Sequence, residues 1–296
     1  IFIATNTVNY CNSVYCLILI EKPLKIKNTL LLLLVFSFSC ASVFSQQGKV
    51  DPTFNTYDDG LLGDGFDNTI RTLSVQDDGK LIVGGDFLNF NGVATPYLCR
   101  LLPDGSKDAS FFLGTGFNNK VYTSLLQPDG KILVAGSFTQ FNGTAVGRLV
   151  RLNPDGSRDS SFTASPGATN SIIYNMVLQS DGSIFLVGSF TSFNGTAANR
   201  IVKILPNGAV DTSFVTGSGA SGLIEKIALQ SDAKIIIGGG FEEFNGSTVG
   251  KIARLNANGT LDTSFVTGVG FDDNVSAIGV QADGKIILGG SFTTFN

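Results

Sequence analysis

The sequence predicts an all-β fold of repeated four-stranded antiparallel blades, each about 51 residues long. Three observations carry that expectation. Phe87, Phe138, Phe190, Phe241 and Phe292 each stand three residues before a Phe-Asn pair, at spacings of 51, 52, 51 and 51. A Gln-x-Asp marker repeats in step at Gln76, Gln127, Gln179, Gln230 and Gln281. An Asp-x-Ser/Thr-Phe marker ends at Phe54, Phe111, Phe162, Phe214 and Phe265. Three markers in one register describe a structural unit that is copied along the chain.

The first segment is of another kind. All 36 glycines fall between Gly48 and Gly290, so the composition breaks near residue 46. Lys22, Lys25 and Lys27 precede the apolar run Leu30 to Phe38, which small polar residues follow. That order reads as a secretory signal peptide over residues 21–45, cleaved near Ser45 or Ala41, and places the protein outside the cell or on its surface. The run is too short to span a bilayer. Residues 1–20 lie upstream of the basic region, and the one Met is Met176, so they read as upstream non-coding or misassigned sequence. Of four cysteines only Cys99 remains after residue 45, which leaves no intrachain disulfide partner.

Residues 46–296 carry the repeats. Between Phe54 and Gln76 the first unit has six extra residues and the acidic loop Asp58, Asp59, Asp64, Asp67. In the next unit, Val121 to Gln127 and Lys131 to Phe138 are β-rich and flank Pro128-Asp129-Gly130, a tight-turn sequence. They predict a hairpin. A third strand over 148–153 reaches a second turn at Pro154-Asp155-Gly156, and Asp159 to Phe162 is expected as a short fourth strand. Hairpins and a unit of this length favour a β-propeller blade over a β-helix rung. The last copy stops at Phe295-Asn296, so about four to five blades of an incomplete propeller are expected.

The repeated Gln-x-Asp-Gly-Lys-Ile-x-x-Gly-Gly-x-Phe-x-x-Phe-Asn-Gly and Arg-Leu-x-x-Asp-Gly-x-x-Asp-x-Ser-Phe resemble the delta-60 repeat family over residues 51–296. The resemblance implies a β-propeller-type domain of unknown function in secreted or surface proteins of bacteria, with no established catalytic residues to carry over. Ala233 in place of Gly and Ser183 in place of Lys depart from the pattern.

The chain has no His, which removes the commonest metal ligand and the usual general base near neutral pH. A net charge of −4 without a basic cluster argues against nucleic acid as a partner. The Asp of each Gln-x-Asp turn has a structural reason, because its carboxylate bonds nearby backbone amides. One carboxylate per blade does not assemble the oxygens that calcium needs, so a calcium site is considered only at the denser loop of Asp58, Asp59, Asp64 and Asp67. The repeated Phe residues are expected in the core, each worth roughly 1.5 to 3 kcal/mol on burial.

A site in a propeller is asymmetric, so residues that break the repeat are the informative ones. Asp86 stands where other copies have Ser or Gly, and Glu242-Glu243 replaces neutral pairs. These suggest an alternative reading as a propeller-based glycoside hydrolase or lyase; a calcium-dependent binding protein is another. The preferred reading is an exported non-enzymatic scaffold or binding module at the bacterial surface, contacting glycan, peptide or protein. Its ligand surface is expected at the loops leaving the fourth strand, around Phe66, Phe117 and Phe271 with Asn119 and Asp272, because two copies carry Ala168 and Ala220 at the Phe position.

Overall fold

The computed structural model describes residues 2–3, 53–56, 64–164 and 166–296, so the leader-like segment 21–45, most of residues 1–20 and Asp58 and Asp59 lie outside the described residues. No described residue is helical, and none forms a helix long and apolar enough to cross a membrane.

Each blade opens with a six-residue strand: Ile70–Val75, Val121–Leu126, Ile173–Leu178, Ile224–Leu229 and Val275–Val280. A tight turn joins it to an antiparallel second strand: Leu81–Gly85, Ile132–Gly136, Ile184–Gly188, Ile235–Gly239 and Ile286–Gly290. In the turn the Asp carboxylate works as expected; Asp129 Oδ1, for example, accepts from the Lys131 N–H at 3.1 Å. Glycine at the last turn position has positive φ, 79° at Gly130, and Ala233 is forced to 64° in the same place. A left-handed alanine costs roughly 1–2 kcal/mol, partly offset by the extra freedom of glycine in the unfolded chain. Ala233→Gly is therefore expected to raise stability by about 1 kcal/mol, read as a shift in the urea midpoint; an unchanged or lower midpoint would contradict it.

After the second strand the Phe-Asn-Gly sequence makes a two-residue hairpin, such as Gln140–Phe141 with Thr144–Ala145. Asn142 and Gly143 have φ of 49° and 69°, the paired positive values that such a tight hairpin turn needs. The third strand, Leu98–Leu101, Leu149–Leu152, Ile201–Ile204 and Ile252–Leu255 in the first four blades, then pairs antiparallel with the second. The fourth position is held by one antiparallel bridge per blade, Leu101 to Lys107, Leu152 to Arg158, Ile204 to Val210 and Leu255 to Leu261. Asp159 to Phe162, expected as that strand, is instead the turn that follows. The cause is local, because Asp159 Oδ1 accepts from both the Ser161 N–H (2.9 Å) and its hydroxyl (2.7 Å), and this pulls the backbone out of an extended ladder.

Neighbouring blades stack face to face. Ile82 of the first blade packs with Val121, Ile132 and Val134 of the second, and Leu133 and Ala135 of the second with Met176, Ile184 and Leu186 of the third. The second strand thus serves two seams by its alternation, one set of side chains toward each neighbour. Phe87, Phe138, Phe190, Phe241 and Phe292 are all buried, as the sequence leads one to expect. Ion pairs stitch the rim. Asp159 Oδ2 accepts from Arg151 Nε (2.7 Å) and pairs with Lys131 Nζ (3.0 Å), while Arg151 Nη1 donates to the Pro206 carbonyl of the next blade. In the third blade Ser183 replaces that lysine and Lys203 replaces the arginine, and Lys203 alone meets Asp211 at 3.1 Å.

The five blades make an open arc. Leu73 and Val75 on the first blade are 59% and 62% exposed, and Ile287 on the fifth is 38% exposed, whereas its counterparts Leu133, Phe185 and Ile236 are buried. Strand Phe2–Ile3 runs parallel beside Ile286–Gly290 at the edge that a third strand takes in the other blades.

Candidate functional site

The rings expected to face a ligand are packed. Phe117 and Phe271 are 3% and 4% exposed; Phe117 lies 4.4 Å from the Phe138 ring and Phe271 4.4 Å from Phe292. Phe66 is half-buried against Phe87 and Phe90. Each bridges to the Phe of the adjacent hairpin, so Phe117 and Phe271 are packed inside their blades and Phe66 is held against its own. Ala168 and Ala220, at the equivalent place, are buried as well, and Arg148 reaches from the second blade to donate to the Ala168 carbonyl. The flanking polar residues shape loops. Asn119 Oδ1 accepts from the Lys120 N–H. Asp272 Oδ1 accepts from the Thr293 and Thr294 N–H groups and Oδ2 from the Thr293 hydroxyl, contacts that hold its carboxyl far below the usual range.

Asp67 plays the same loop-holding part, taking the Leu88 and Asn89 N–H groups on Oδ1 and the Asn89 amide on Oδ2. Both its oxygens are thereby spent on protein donors. Among the described residues no three His, Cys, Asp or Glu side chains cluster to hold a metal, and Asp58 and Asp59 of the expected acidic loop lie outside the described residues. Of the repeat-breaking carboxylates, Glu242 is exposed and paired with Lys251, and Glu243 is exposed. Cys99 is a buried core residue whose thiol burial pushes up to about 12.

Asp86 leads elsewhere. Its carboxylate accepts from Arg71 Nε at 2.5 Å and Nη2 at 2.7 Å, with Lys120 Nζ at 2.9 Å from Oδ2. These bonds, Arg71 first, hold the Asp86 carboxyl below its ordinary value against the opposing effect of burial. Arg71 sits on the first strand of its blade, at a β-bulge between Ile70 and Thr72. The same bulge recurs in every blade, at Tyr122, Tyr174, Glu225 and Ser276.

The bulge matters because of how blades stack. In face-to-face sheets, regular side chains of the first strand point toward neighbouring blades, and only the strand's edge looks inward. An extra unpaired residue re-aims its side chain out of that alternation. Arg71, Tyr122, Tyr174 and Glu225, from four successive blades, accordingly line one cavity of about 450 Å³ together with Thr69, Ile70, Leu223 and Lys226. Inside it the Arg71 guanidinium lies 4.5 Å over the Tyr122 ring, and Tyr122 meets Tyr174 edge to face at 5.2 Å. Asn274 donates to Glu225 Oε1 at 3.2 Å. Burial raises the Tyr174 and Glu225 pKa values and lowers that of Lys226.

Two other grooves differ in kind. One of about 470 Å³ lies along Leu98, Arg100, Asp108 and Phe111, and its counterpart along Ile252, Arg254, Asp262 and Phe265 measures about 250 Å³. Both are lined by residues of the repeat, including the structural Arg–Asp pair that the first, second and fourth blades share. The central cavity is lined chiefly by the bulge position, which reads Arg71, Tyr122, Tyr174 and Glu225 in successive blades.

The bulge has a signature that sequence reasoning passed over. Opposite it stands an unvarying glycine: a Cβ on Gly85, Gly136, Gly188, Gly239 or Gly290 would lie only 2.0–2.4 Å from the carbonyl oxygen just before the first strand or at its start. Gly188→Ala is expected to force the Ile172 backbone away and to cost about 3 kcal/mol, at the upper end of ordinary overpacking. Its check is a urea titration combined with loss of the Tyr122–Tyr174 contact in NMR; native stability with that contact kept would refute the role given to the glycine. The signal for the ring itself was the one position after the first apolar residue of each first strand, where the copies read Arg, Tyr, Tyr, Glu and Ser.

No curated protein matches the chain by sequence. Among solved structures it is similar to the WD40 β-propeller domain of Doa1, at 18% identity and a TM-score of 0.51, over 77% of this chain and 62% of that one. The chain thus spans less than two thirds of that structure. The extracellular domain of the putative one component system BT4673 from B. thetaiotaomicron gives 15% identity and a TM-score of 0.47 over 76% of this chain and 26% of that one. Virginiamycin B lyase from Staphylococcus aureus gives 17% and 0.45 over 76% and 71%. A family model matches residues 76–111, 127–162, 179–214, 230–265 and 281–296, in register with the five blades. With more than half of its residues matched, the chain belongs to the β-propeller family described as a domain of unknown function (DUF5122).

Proposed function

We propose that this chain is an exported binding module of the bacterial surface, and that its ligand enters the central cavity at the bulge ring of Arg71, Tyr122, Tyr174 and Glu225. The observation that carries the reading is the coincidence of two independent features. In four successive blades the bulge turns one residue into the cavity, and across them that residue reads Arg71, Tyr122, Tyr174 and Glu225, a change of chemistry while the stacking positions stay apolar. A scaffold that needed only to stack its blades would have no use for the difference.

Binding is favoured over glycoside hydrolysis by the state of the carboxylates. Hydrolysis takes two of them flanking the scissile bond. Here Asp86 is occupied by Arg71 and Lys120, which leaves Glu225 as the one carboxylate among the described residues lining the cavity. Export is supported by the basic, apolar and small-residue order of residues 21–45.

The test is a binding screen of the full chain on glycan and peptide arrays. The triple variant Tyr122→Ala, Tyr174→Ala, Glu225→Gln is set beside Asp129→Asn, Asp155→Asn, which alters the tight turns on the opposite side. Loss of binding in the first and retention in the second supports the ring. Equal binding by both removes it from consideration. For export, mass spectrometry of the protein recovered from a bacterial host should find a mature start just after Ala41 or Ser45, and an intact leader on the mature protein would refute it.

A further inference from the structure

We infer that the bulge ring binds a neutral saccharide, with sugar C–H faces on Tyr122 and Tyr174 and hydroxyls on Arg71 and Glu225. The inference rests on the ring being the binding site and adds the chemical class of its ligand. Charge is the first argument. Arg71 and Lys120 are set against Asp86, and Glu225 neighbours Lys226 on the facing side of the cavity. An anionic ligand drawn to Arg71 would meet the half-buried Glu225. A cationic ligand drawn to Glu225 would meet Arg71 and Lys226. Either would bring a like charge into a partly desolvated space, where an unpaired charge is costly.

The hydrogen-bonding inventory is the second argument. Among the described residues, Arg71 Nη1, the Tyr122 hydroxyl and Glu225 Oε2 take part in no hydrogen bond, whereas Arg71 Nε and Nη2 and Glu225 Oε1 are engaged. The cavity therefore offers a fixed donor, a fixed acceptor and a group that does both, with the Lys226 ammonium as a further donor at its edge. Neighbouring hydroxyls of a pyranose each donate and accept, so they satisfy all three without bringing in charge. Tyrosine supplies the remaining need. Its ring gives apolar area to the C–H face while its hydroxyl stays available to water or ligand. Both tyrosines are half-buried, so each ring is held in place and partly presented. A cavity of about 450 Å³ falls within the roughly 300–1,000 Å³ of small-ligand sites.

Saturation-transfer NMR and calorimetry on the full chain test this directly. The probes are the methyl glycosides of glucose, galactose and mannose, glucuronic and galacturonic acids as anions, glucosamine as a cation, and a blocked neutral tripeptide. At least one neutral glycoside is expected to bind at least 5-fold more tightly than its charged relatives. Glu225→Gln, which keeps shape and fold, should weaken that binding at least 5-fold, and Tyr174→Ala at least 10-fold, with circular dichroism confirming that each variant is folded. Neutral binding unchanged in both variants overturns the inference. If a charged sugar or the tripeptide perturbs the Tyr122 and Tyr174 resonances and no neutral glycoside does, the saccharide class is refuted while the ring as a site stands. If no probe perturbs them, the saccharide inference also falls, and the array screen decides the ring separately.

Discussion

Replacing Phe190 by Ala is expected to lower the unfolding free energy by about 3 to 5 kcal/mol, the usual loss for deleting a fully buried ring. Phe190 is 0% exposed and belongs to the seam between the second and third blades, with Leu133, Ile173, Leu186 and Phe193 in the same cluster. Collapse into the space would be limited. The equivalent rings Phe138 and Phe292 each have a Phe 4.4 Å away, whereas the third blade has the small Ala168 there and Phe193 at 6.4 Å. Urea denaturation followed by circular dichroism measures the loss, and the surface variant Phe112→Ala is the control, since that ring is 76% exposed. A loss below about 1 kcal/mol at Phe190 would show that the seam does not depend on the ring.

The second large effect is expected at Asp159. Its side chain is 8% exposed and meets Arg151 and Lys131 together, so Asp159→Ala leaves two cations around a vacated carboxylate. Breaking a buried pair on one side costs about 3 to 5 kcal/mol. Lys131 is 28% exposed and can turn to water, which puts the expectation at about 3 kcal/mol. The pH dependence follows from the sign of the shift. Burial alone would raise the Asp159 pKa, but bonds from Ser161, Lys131 and Arg151 outweigh it and hold the carboxyl well below the ordinary range. A depressed folded-state value means that this stability is fully present above the unfolded pKa of about 4 and is lost as pH falls toward the folded value. Wild type and Asp159→Ala should therefore differ at pH 7 and converge in acid below about pH 4. Parallel curves throughout would mean that the ion pair contributes nothing. The double variant Arg151→Met, Asp159→Ala should recover part of the loss, because it removes the orphaned guanidinium as well.

The repeat could be read in the sequence because each blade solves the same packing problem with the same residues. Phe at the end of the second strand, Asp in the turn and Asn-Gly in the hairpin each answer a local demand for burial, a backbone partner or positive φ. Such demands leave a mark at a fixed spacing. Exchanges within the repeat were also legible, though their meaning was not. Ser183 alone reads as a departure, and only the fold shows that Lys203 replaces both missing cations at Asp211.

Where the tertiary structure decided, the reason lies in direction. Phe66, Phe117 and Phe271 have the exposed look of loop residues in the sequence, yet a bridge to the neighbouring hairpin turns them inward. Asp86 stands out as a break in the pattern, but its role depends on Arg71 fifteen residues earlier and on Lys120 in the next blade. Period, strand order and turn chemistry are set by residues close together in the chain, and these the sequence alone determined. Which side chain faces the axis depends on a bulge, an added residue that shifts the two-residue alternation of a strand, and the four re-aimed side chains line one cavity only because the first strands of four blades stand around it.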